Sequence, residues 1–292
     1  MRFRPQFIQE APVPVTILCT VRNCRLPLAR EARQLVCPRR HSFDIARSGY
    51  ANLLQPQDRR SRRPGDALEA VAARRRLADE GHAEPLVRGL LEILVPLGLG
   101  ESDAVLDAGC GEGHHLGAIA GAFGIEAHGV DLSVSAIDLA ARRHRSCHWI
   151  VANADRFLPY AEASFRLLTS ITSRMNAAEF RRVLRDDGRL VVVIPGPDDL
   201  VELRSAVLGA GELRDRTART IETFAADFAL ERQEGLRHIA HLDKTSITGA
   251  MTASYRALRL RERQRLEALS EMDVTLSWDV LVFKPVRRLK FA

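Results

Sequence analysis

Ala104-Val105-Leu106-Asp107-Ala108-Gly109-Cys110-Gly111-Glu112-Gly113-His114-His115 is a short apolar run that breaks into three alternating glycines and then into a helical pattern. Further on, Ala127-His128-Gly129-Val130-Asp131 is a second apolar run closed by a carboxylate. Strand, glycine turn, helix, strand and acid make the opening half of a nucleotide-binding crevice. The glycines let backbone approach a ligand, and the helix start presents free N–H groups.

The pattern continues outward from this stretch. Apolar runs predict strands near 104–108, 126–130, 148–152, 165–171, 188–194, 236–242 and 273–283, with helices near 113–122, 134–144, 176–184, 198–209, 217–228 and 258–269. Two more helices are expected ahead of them, at 67–80 with Asp66 as N-cap and Gly81 as stop, and at about 85–95. Arg185-Asp186-Asp187-Gly188 reads as a tight turn into the fifth strand. Seven strands with a closing pair after the fifth predict an α/β, doubly wound sheet with an antiparallel edge.

The glycine spacing narrows the ligand. G-x-G-x-G (Gly109, Gly111, Gly113) differs from the G-x-G-x-x-G that seats a pyrophosphate. Asp131 suits two ribose hydroxyls, which donate, and Asp107 suits an ammonium group. Asn153-Ala154-Asp155 follows the third strand, where an adenine would be held. Together these predict S-adenosylmethionine, the competing reading being a tight turn with no ligand. The order of elements resembles a Rossmann-like class I methyltransferase domain, from about residue 84 to the end.

The front of the chain is different. Residues 1–63 hold thirteen arginines against four acids, while the net charge of the whole chain is only +6, so the basic excess is confined there and predicts a polyanionic partner. Arg59, Arg60, Arg62 and Arg63, in a proline-flanked linker, are the candidates for phosphate contact, the competing reading being a solvated linker. Neither a membrane-length apolar stretch nor a secretory signal core is present, which predicts a cytoplasmic protein with no membrane partner. Five cysteines in such a chain argue against a disulfide framework. Three of them, with one histidine, form Cys19-x4-Cys24 and Cys37-x3-His41, a Cys3His set with spacings suited to tetrahedral zinc. A segment of this size cannot build an adequate core alone, so a structural zinc would supply folding energy; the competing reading is buried cysteines beside an unrelated histidine. The expected division is an arm at 1–15, a zinc ribbon at 16–50, a basic linker and helix at 51–83, and the methyltransferase domain at 84–292.

With both halves read, the chain resembles the 23S ribosomal RNA guanine-N1 methyltransferases, which modify a large-subunit hairpin and include macrolide-resistance determinants. The resemblance is most specific in Cys37-Pro38-Arg39-Arg40-His41-Ser42-Phe43-Asp44-Ile45-Ala46-Arg47-Ser48-Gly49-Tyr50-Ala51-Asn52-Leu53-Leu54, in Ser61-Arg62-Arg63-Pro64-Gly65-Asp66, and in Ala73-Arg74-Arg75-Arg76-Leu77-Ala78-Asp79-Glu80-Gly81-His82. It implies a homodimer whose ribbon helps grip RNA. It also implies cofactor contacts at Ala83, His115, Leu116 and Asp199. The target base is implied near Ile171–Asn176 and Met251–Arg256, making Asn176, Tyr255 and Arg256 the target-side candidates, with Tyr255 as a stacking platform or else a core aromatic.

The chemistry agrees by elimination. The Asn/Asp-Pro-Pro-aromatic motif of exocyclic amine methylation is missing after the fourth strand, and Cys110 and Cys147 are poorly placed for a cysteine nucleophile. A ring nitrogen such as guanine N1, extruded from its hairpin, is what remains. Small-molecule methylation and a non-catalytic rRNA-binding role are the alternatives.

Overall fold

The computed structural model describes residues 15–58, 65–209, 211–255 and 258–286. The chain opens with three short strands, β1 (Ala29–Glu31), β2 (Gln34–Val36) and β3 (Ser42–Asp44), paired antiparallel in that order. Only Leu35, Val36 and Phe43 in these strands are buried, too little for an independent core. The ribbon instead shares the core of the larger domain, packing Cys19, Leu35 and Phe43 into one cluster with Leu158, Tyr160 and Phe165. The segment 15–18, ahead of β1, makes only single bridges, Ile17 to Tyr160 and Leu18 to Pro27. Those contacts tie the ribbon down: Leu18 N donates to Pro159 O at 2.9 Å and Ala161 N to Thr16 O at 3.0 Å.

The larger domain runs through β4 (Ala51–Asn52), α1 (Leu68–Asp79), α2 (Glu84–Leu94), β5 (Ala104–Ala108), α3 (His114–Phe123), β6 (Glu126–Asp131), α4 (Val134–Arg143), β7 (His148–Val151), β8 (Phe165–Ile171), α5 (Ala177–Val183), β9 (Leu184–Pro195), α6 (Val201–Leu208), α7 (Thr217–Phe224), β10 (Phe228–Asp243), α8 (Lys244–Ser254), α9 (Leu260–Glu267) and β11 (Glu271–Pro285). The sheet order is β10-β11-β9-β8-β5-β6-β7-β4, with β10 and β11 antiparallel and the remainder parallel. Its central strands are mostly apolar because helices cover both faces; β5 is buried at every residue. Side chains alternate between layers, so Leu106 and Val130 enter one core and Val105 and Val151 the other. Strand order reverses direction at β5, which has β6 on one side and β8 on the other. A crevice therefore opens beyond the carboxyl end of β5, where the three glycines lie.

Four expectations are corrected. The sheet has eight strands, not seven, because Ala51 and Asn52 leave the ribbon and pair in parallel with Ile150 and Val151. Two residues ahead of Pro56 carry no readable strand signal. Asp66 does not cap α1; the N-cap is Ala67 and the Asp66 carboxylate instead takes Arg74 Nη2 at 2.5 Å. The tight turn expected at Arg185–Gly188 is a bulge within β9, since Leu184 pairs with Phe165 and Arg189 with Leu167. Residues 244–254 are helical although their Ser, Thr and Gly content predicts little helix. The tertiary setting decides there: Asp243 caps the helix by accepting from Ser246 N at 2.8 Å, and Ile247, Ala250 and Met251 are buried. Among the described residues, no helix is long and apolar enough to cross a membrane.

Candidate functional site

The glycine turn is shaped by left-handed backbone. Gly109 and Gly113 have φ of 86° and 83°, and a Cβ there would lie 2.5 Å from Ser173 Oγ and 2.4 Å from Trp149 Cη2 respectively. The turn is pinned from β6: Asp131 accepts from Gly111 N at 3.0 Å and from Ser133 N at 2.7 Å. A carboxylate has about four acceptor positions, so Asp131 keeps capacity for ribose hydroxyls. Asp107, at the end of β5, is 2 % exposed and accepts from Thr169 Oγ1 at 2.8 Å. Burial pushes Asp107 up to about 7, the Thr169 bond opposing and the Asp131 charge adding to the rise. No cation pairs with Asp107 among the described residues, so a ligand ammonium would supply the missing partner. The cavity enclosed here measures about 610 Å³ and is lined by Asp107, Gly109, Gly111, Asp131, Asn153, Ala154 and Asp155. Asn153 is fixed at both ends of its amide, donating to Asp58 O at 3.0 Å and accepting from Asp155 N at 3.1 Å. Volume and donor set fit S-adenosylmethionine.

A second cavity of about 470 Å³ adjoins the first, sharing Arg74, Glu112, His115, Ile171 and Thr172 with it. Ala83, Asp199 and Tyr255 line this neighbour and not the glycine-turn cavity. His115 stands between the two. Burial, with His114 beside it, lowers its pKa to about 4, which leaves a neutral imidazole whose enclosed Nε2 has no hydrogen-bond partner among the described residues. Leu116 is fully buried in the α3 core and lines neither cavity. Asn176 also lies outside both: it caps α5 by accepting from Glu179 N at 3.2 Å and donates to Asp155 O at 2.9 Å. Arg256 lies outside the described residues, as do Arg59, Arg60, Arg62 and Arg63. The described flanks of that linker border the crevice, for Gly65 and Asp66 line the larger cavity.

Sequence reasoning gave no role to five residues at this junction. Glu112 and Arg74 line both cavities, Trp278 lines the second, and Thr172 and Leu200 carry left-handed backbone (φ 49° and 54°) on its rim. Of these only Glu112, enclosed by Gly111 and Gly113, had a local signal.

The ribbon gathers its four expected ligands. His41 Nδ1 lies 3.5 Å from both Cys19 Sγ and Cys37 Sγ, and Cys24 Sγ lies 3.8 Å from Cys37 Sγ, with all four ligand atoms within 4.8 Å of one another. A tetrahedral zinc, with bonds of about 2.3 Å to sulfur and 2.0–2.1 Å to nitrogen, sets its ligand atoms about 3.5–3.8 Å apart. The three short separations match that geometry, and the cluster fits a zinc ion. Glu126, His128 and His148 also cluster. Their two imidazoles stack at 4.5 Å and 19°, so one ion cannot lie in both ring planes, and His128 Nε2 instead bonds Glu126 Oε1 at 2.9 Å.

A glycine turn at the switch point of this sheet, with acids ending β5 and β6, defines a class I S-adenosylmethionine-dependent methyltransferase carrying a structural zinc ribbon. A methyltransferase-domain family model matches residues 105–188, and the model described as RlmA, N-terminal, a zinc ribbon, matches residues 19–62. The chain is 34% identical over 272 residues to the 23S rRNA (guanine(748)-N(1))-methyltransferase of Streptomyces fradiae, covering 90% of this chain and 95% of that one. It is 33% identical over 268 residues to YxjB of Bacillus subtilis (strain 168), named as a candidate 23S rRNA (guanine-N(1)-)-methyltransferase, covering 87% and 92%. Its fold is similar to a chain in the complex between the Haloferax volcanii Trm112 methyltransferase activator and a candidate methyltransferase, with a TM-score of 0.51 and 18% identity over 76% of this chain and 99% of that one. The chain belongs to the 23S rRNA guanine-N1-methyltransferase family.

Proposed function

We propose that this enzyme methylates N1 of a guanine in a 23S rRNA hairpin. The observation that carries the reading is the extent of the family likeness: it spans the ribbon and the catalytic domain together, at 34% identity over 90% of the chain.

The residues divide the work. Asp107 holds the cofactor's ammonium, Asp131 its ribose, and Asn153, Ala154 and Asp155 its adenine, with Gly109, Gly111 and Gly113 giving backbone access. S-adenosylmethionine supplies an electrophilic methyl on a sulfonium, so the protein's task is to position and desolvate the acceptor. The adjoining cavity takes the extruded base, and Tyr255 and Trp278 offer it flat surfaces. Cys19, Cys24, Cys37 and His41 hold the zinc that keeps the ribbon folded against the domain. Arg59, Arg60, Arg62 and Arg63 contact phosphates at the crevice mouth. The enzyme works as a homodimer in the cytoplasm, where its five cysteines stay out of disulfides.

A methyl on guanine N1 blocks Watson–Crick pairing and arrests reverse transcriptase. The purified enzyme, with S-adenosylmethionine and unmodified 23S rRNA, should create one new primer-extension stop. Methyl transfer to a metabolite with no new stop in rRNA would replace this reading with small-molecule methylation. Failure to bind S-adenosylmethionine at all would point to a non-catalytic rRNA-binding role.

A further inference from the structure

The proton on guanine N1 must leave before the nitrogen's electron pair can be used, and the cavity next to the cofactor crevice is lined by two carboxylates among the described residues, Glu112 and Asp199. Glu112 belongs to the glycine turn and lies 3.4 Å from Arg75 Nη1. Asp199 forms no ion pair among the described residues. Its Oδ1 accepts from Ser277 N at 3.1 Å, and its Oδ2 has no hydrogen-bond partner among them.

The loop that carries Asp199 is held on every side. Asp199 N donates to Gly196 O at 3.2 Å, and its carbonyl accepts from Arg204 Nε at 3.1 Å. Leu200 N donates to Thr275 O at 2.7 Å, which fixes Leu200 in left-handed backbone at φ 54°. Thr172, which follows β8 and lines the same cavity, is left-handed too, at φ 49°. Such backbone is unfavourable for residues with a Cβ and persists where surrounding contacts enforce it, often around reacting groups. Trp278, next to the Ser277 that orients Asp199, lines the same cavity with Tyr255.

We propose that Asp199 is the catalytic base that accepts the N1 proton of the target guanine, an inference that rests on the guanine-N1 reading above. The N1–H proton passes to Asp199 Oδ2, and the N1 electron pair forms the bond to the methyl carbon. The carbon–sulfur bond breaks with its pair left on sulfur, which becomes a neutral thioether. Asp199 then returns its proton to solvent.

The surroundings suit the role. Arg204, Asp198 and Arg216 act on Asp199 electrostatically, and Arg214, Arg74, His82, His114, His115 and Glu112 line the same cavity. Burial pushes Asp199 up to about 6, with the Ser277 N–H and Arg204 opposing the rise. The group is therefore ionised at neutral pH yet more basic than an exposed carboxylate, as general-base work requires.

The test uses the full-length zinc-loaded protein, S-adenosylmethionine and a 23S rRNA hairpin transcript. Asp199→Asn should lower kcat by about 10²–10⁴-fold. Calorimetric affinity for S-adenosylmethionine and anisotropy-measured affinity for the hairpin should both stay within about threefold of wild type. Asp199→Glu should recover part of kcat. Wild-type kcat/KM for the hairpin at saturating S-adenosylmethionine should rise with pH through about 6, because the base acts only when deprotonated, and Asp199→Asn should lack that limb. A carboxyl ¹³C titration of the cofactor-free wild type should show an aspartate titrating near the same pH, missing from Asp199→Asn. An Asp199→Asn kcat within about threefold of wild type overturns the proposal, as does a flat wild-type profile between about pH 5 and 7.5. A loss confined to cofactor affinity, with kcat at saturation unchanged, also overturns it and assigns Asp199 to holding S-adenosylmethionine. A wild-type enzyme that methylates rRNA at another atom overturns this proposal and the guanine-N1 reading together, whereas N1 methylation that survives in Asp199→Asn overturns only this one.

Discussion

Replacing Thr169 with Val removes one hydroxyl from the floor of the cofactor crevice and keeps the side chain's shape. Thr169 is fully buried, and its Oγ1 donates to Asp107 at 2.8 Å. A hydrogen bond to a charged group contributes about 1.5–3 kcal/mol, and one pH unit of pKa corresponds to about 1.4 kcal/mol. Asp107, which burial already pushes up to about 7, should therefore rise by a further 1–2 pH units, roughly. The ionised carboxylate is the form that holds the ligand's ammonium. At pH 7 about half of the wild-type Asp107 is ionised, against roughly 1–10% in the variant, so affinity for S-adenosylmethionine should fall by about 5–50-fold. The wild type should itself weaken by about fivefold between pH 7 and pH 6, because lowering the pH protonates the same group. Isothermal titration calorimetry between about pH 6 and 7, where the ligand's amino group stays largely charged, reads both effects. Equal affinities for the two proteins, with no change between pH 6 and 7, would refute the assignment of Asp107 to the ammonium.

Cys37→Ser should reduce bound zinc from one per chain to near none by atomic absorption and expose the ribbon to limited proteolysis, since structural zinc contributes on the order of 10–16 kcal/mol of apparent binding free energy; unchanged zinc content would exclude Cys37 as a ligand. Gly113→Ala places a Cβ 2.4 Å from Trp149 Cη2 in left-handed backbone, and a loss of about 2–5 kcal/mol in denaturant unfolding is expected, a midpoint equal to wild type being the contrary result. Changing Arg59, Arg60, Arg62 and Arg63 together to Ala should reduce the slope of log affinity against log salt by up to about 3 for single-stranded or hairpin RNA, with cofactor affinity unchanged; an unaltered slope would show a solvated linker.

The cofactor end was legible in the sequence because it is local. Asp107, the three glycines and Asp131 lie on two consecutive strands and the turn between them, and a buried parallel strand must be apolar whatever follows it. The four zinc ligands were legible from spacing alone, since metal geometry limits the chain between paired ligands. The target side was not. Asp199 and Trp278 meet only because β9 and β11 pair with Pro195 opposite Trp278, a long-range register that no local pattern encodes. Within an alternating strand, Trp278 reads the same whether it lines a cavity or a core. The helix at Lys244–Ser254 was hidden for a related reason: its Ser- and Thr-rich sequence is a poor helix former, and burial of Ile247, Ala250 and Met251 overrides that propensity. The strand Ala51–Asn52 is too short for periodicity to register.

A crevice built for S-adenosylmethionine, beside a zinc ribbon, acts on guanine N1 of 23S rRNA. Mass mapping of 23S rRNA from cells with and without the gene tests it most directly. One guanine-bearing fragment should be lighter by a single methyl in the deletion strain, with the modification placed at N1 by fragmentation and restored by the gene. Identical methylation in the two rRNAs, or a lost methyl on any atom other than guanine N1, would contradict it.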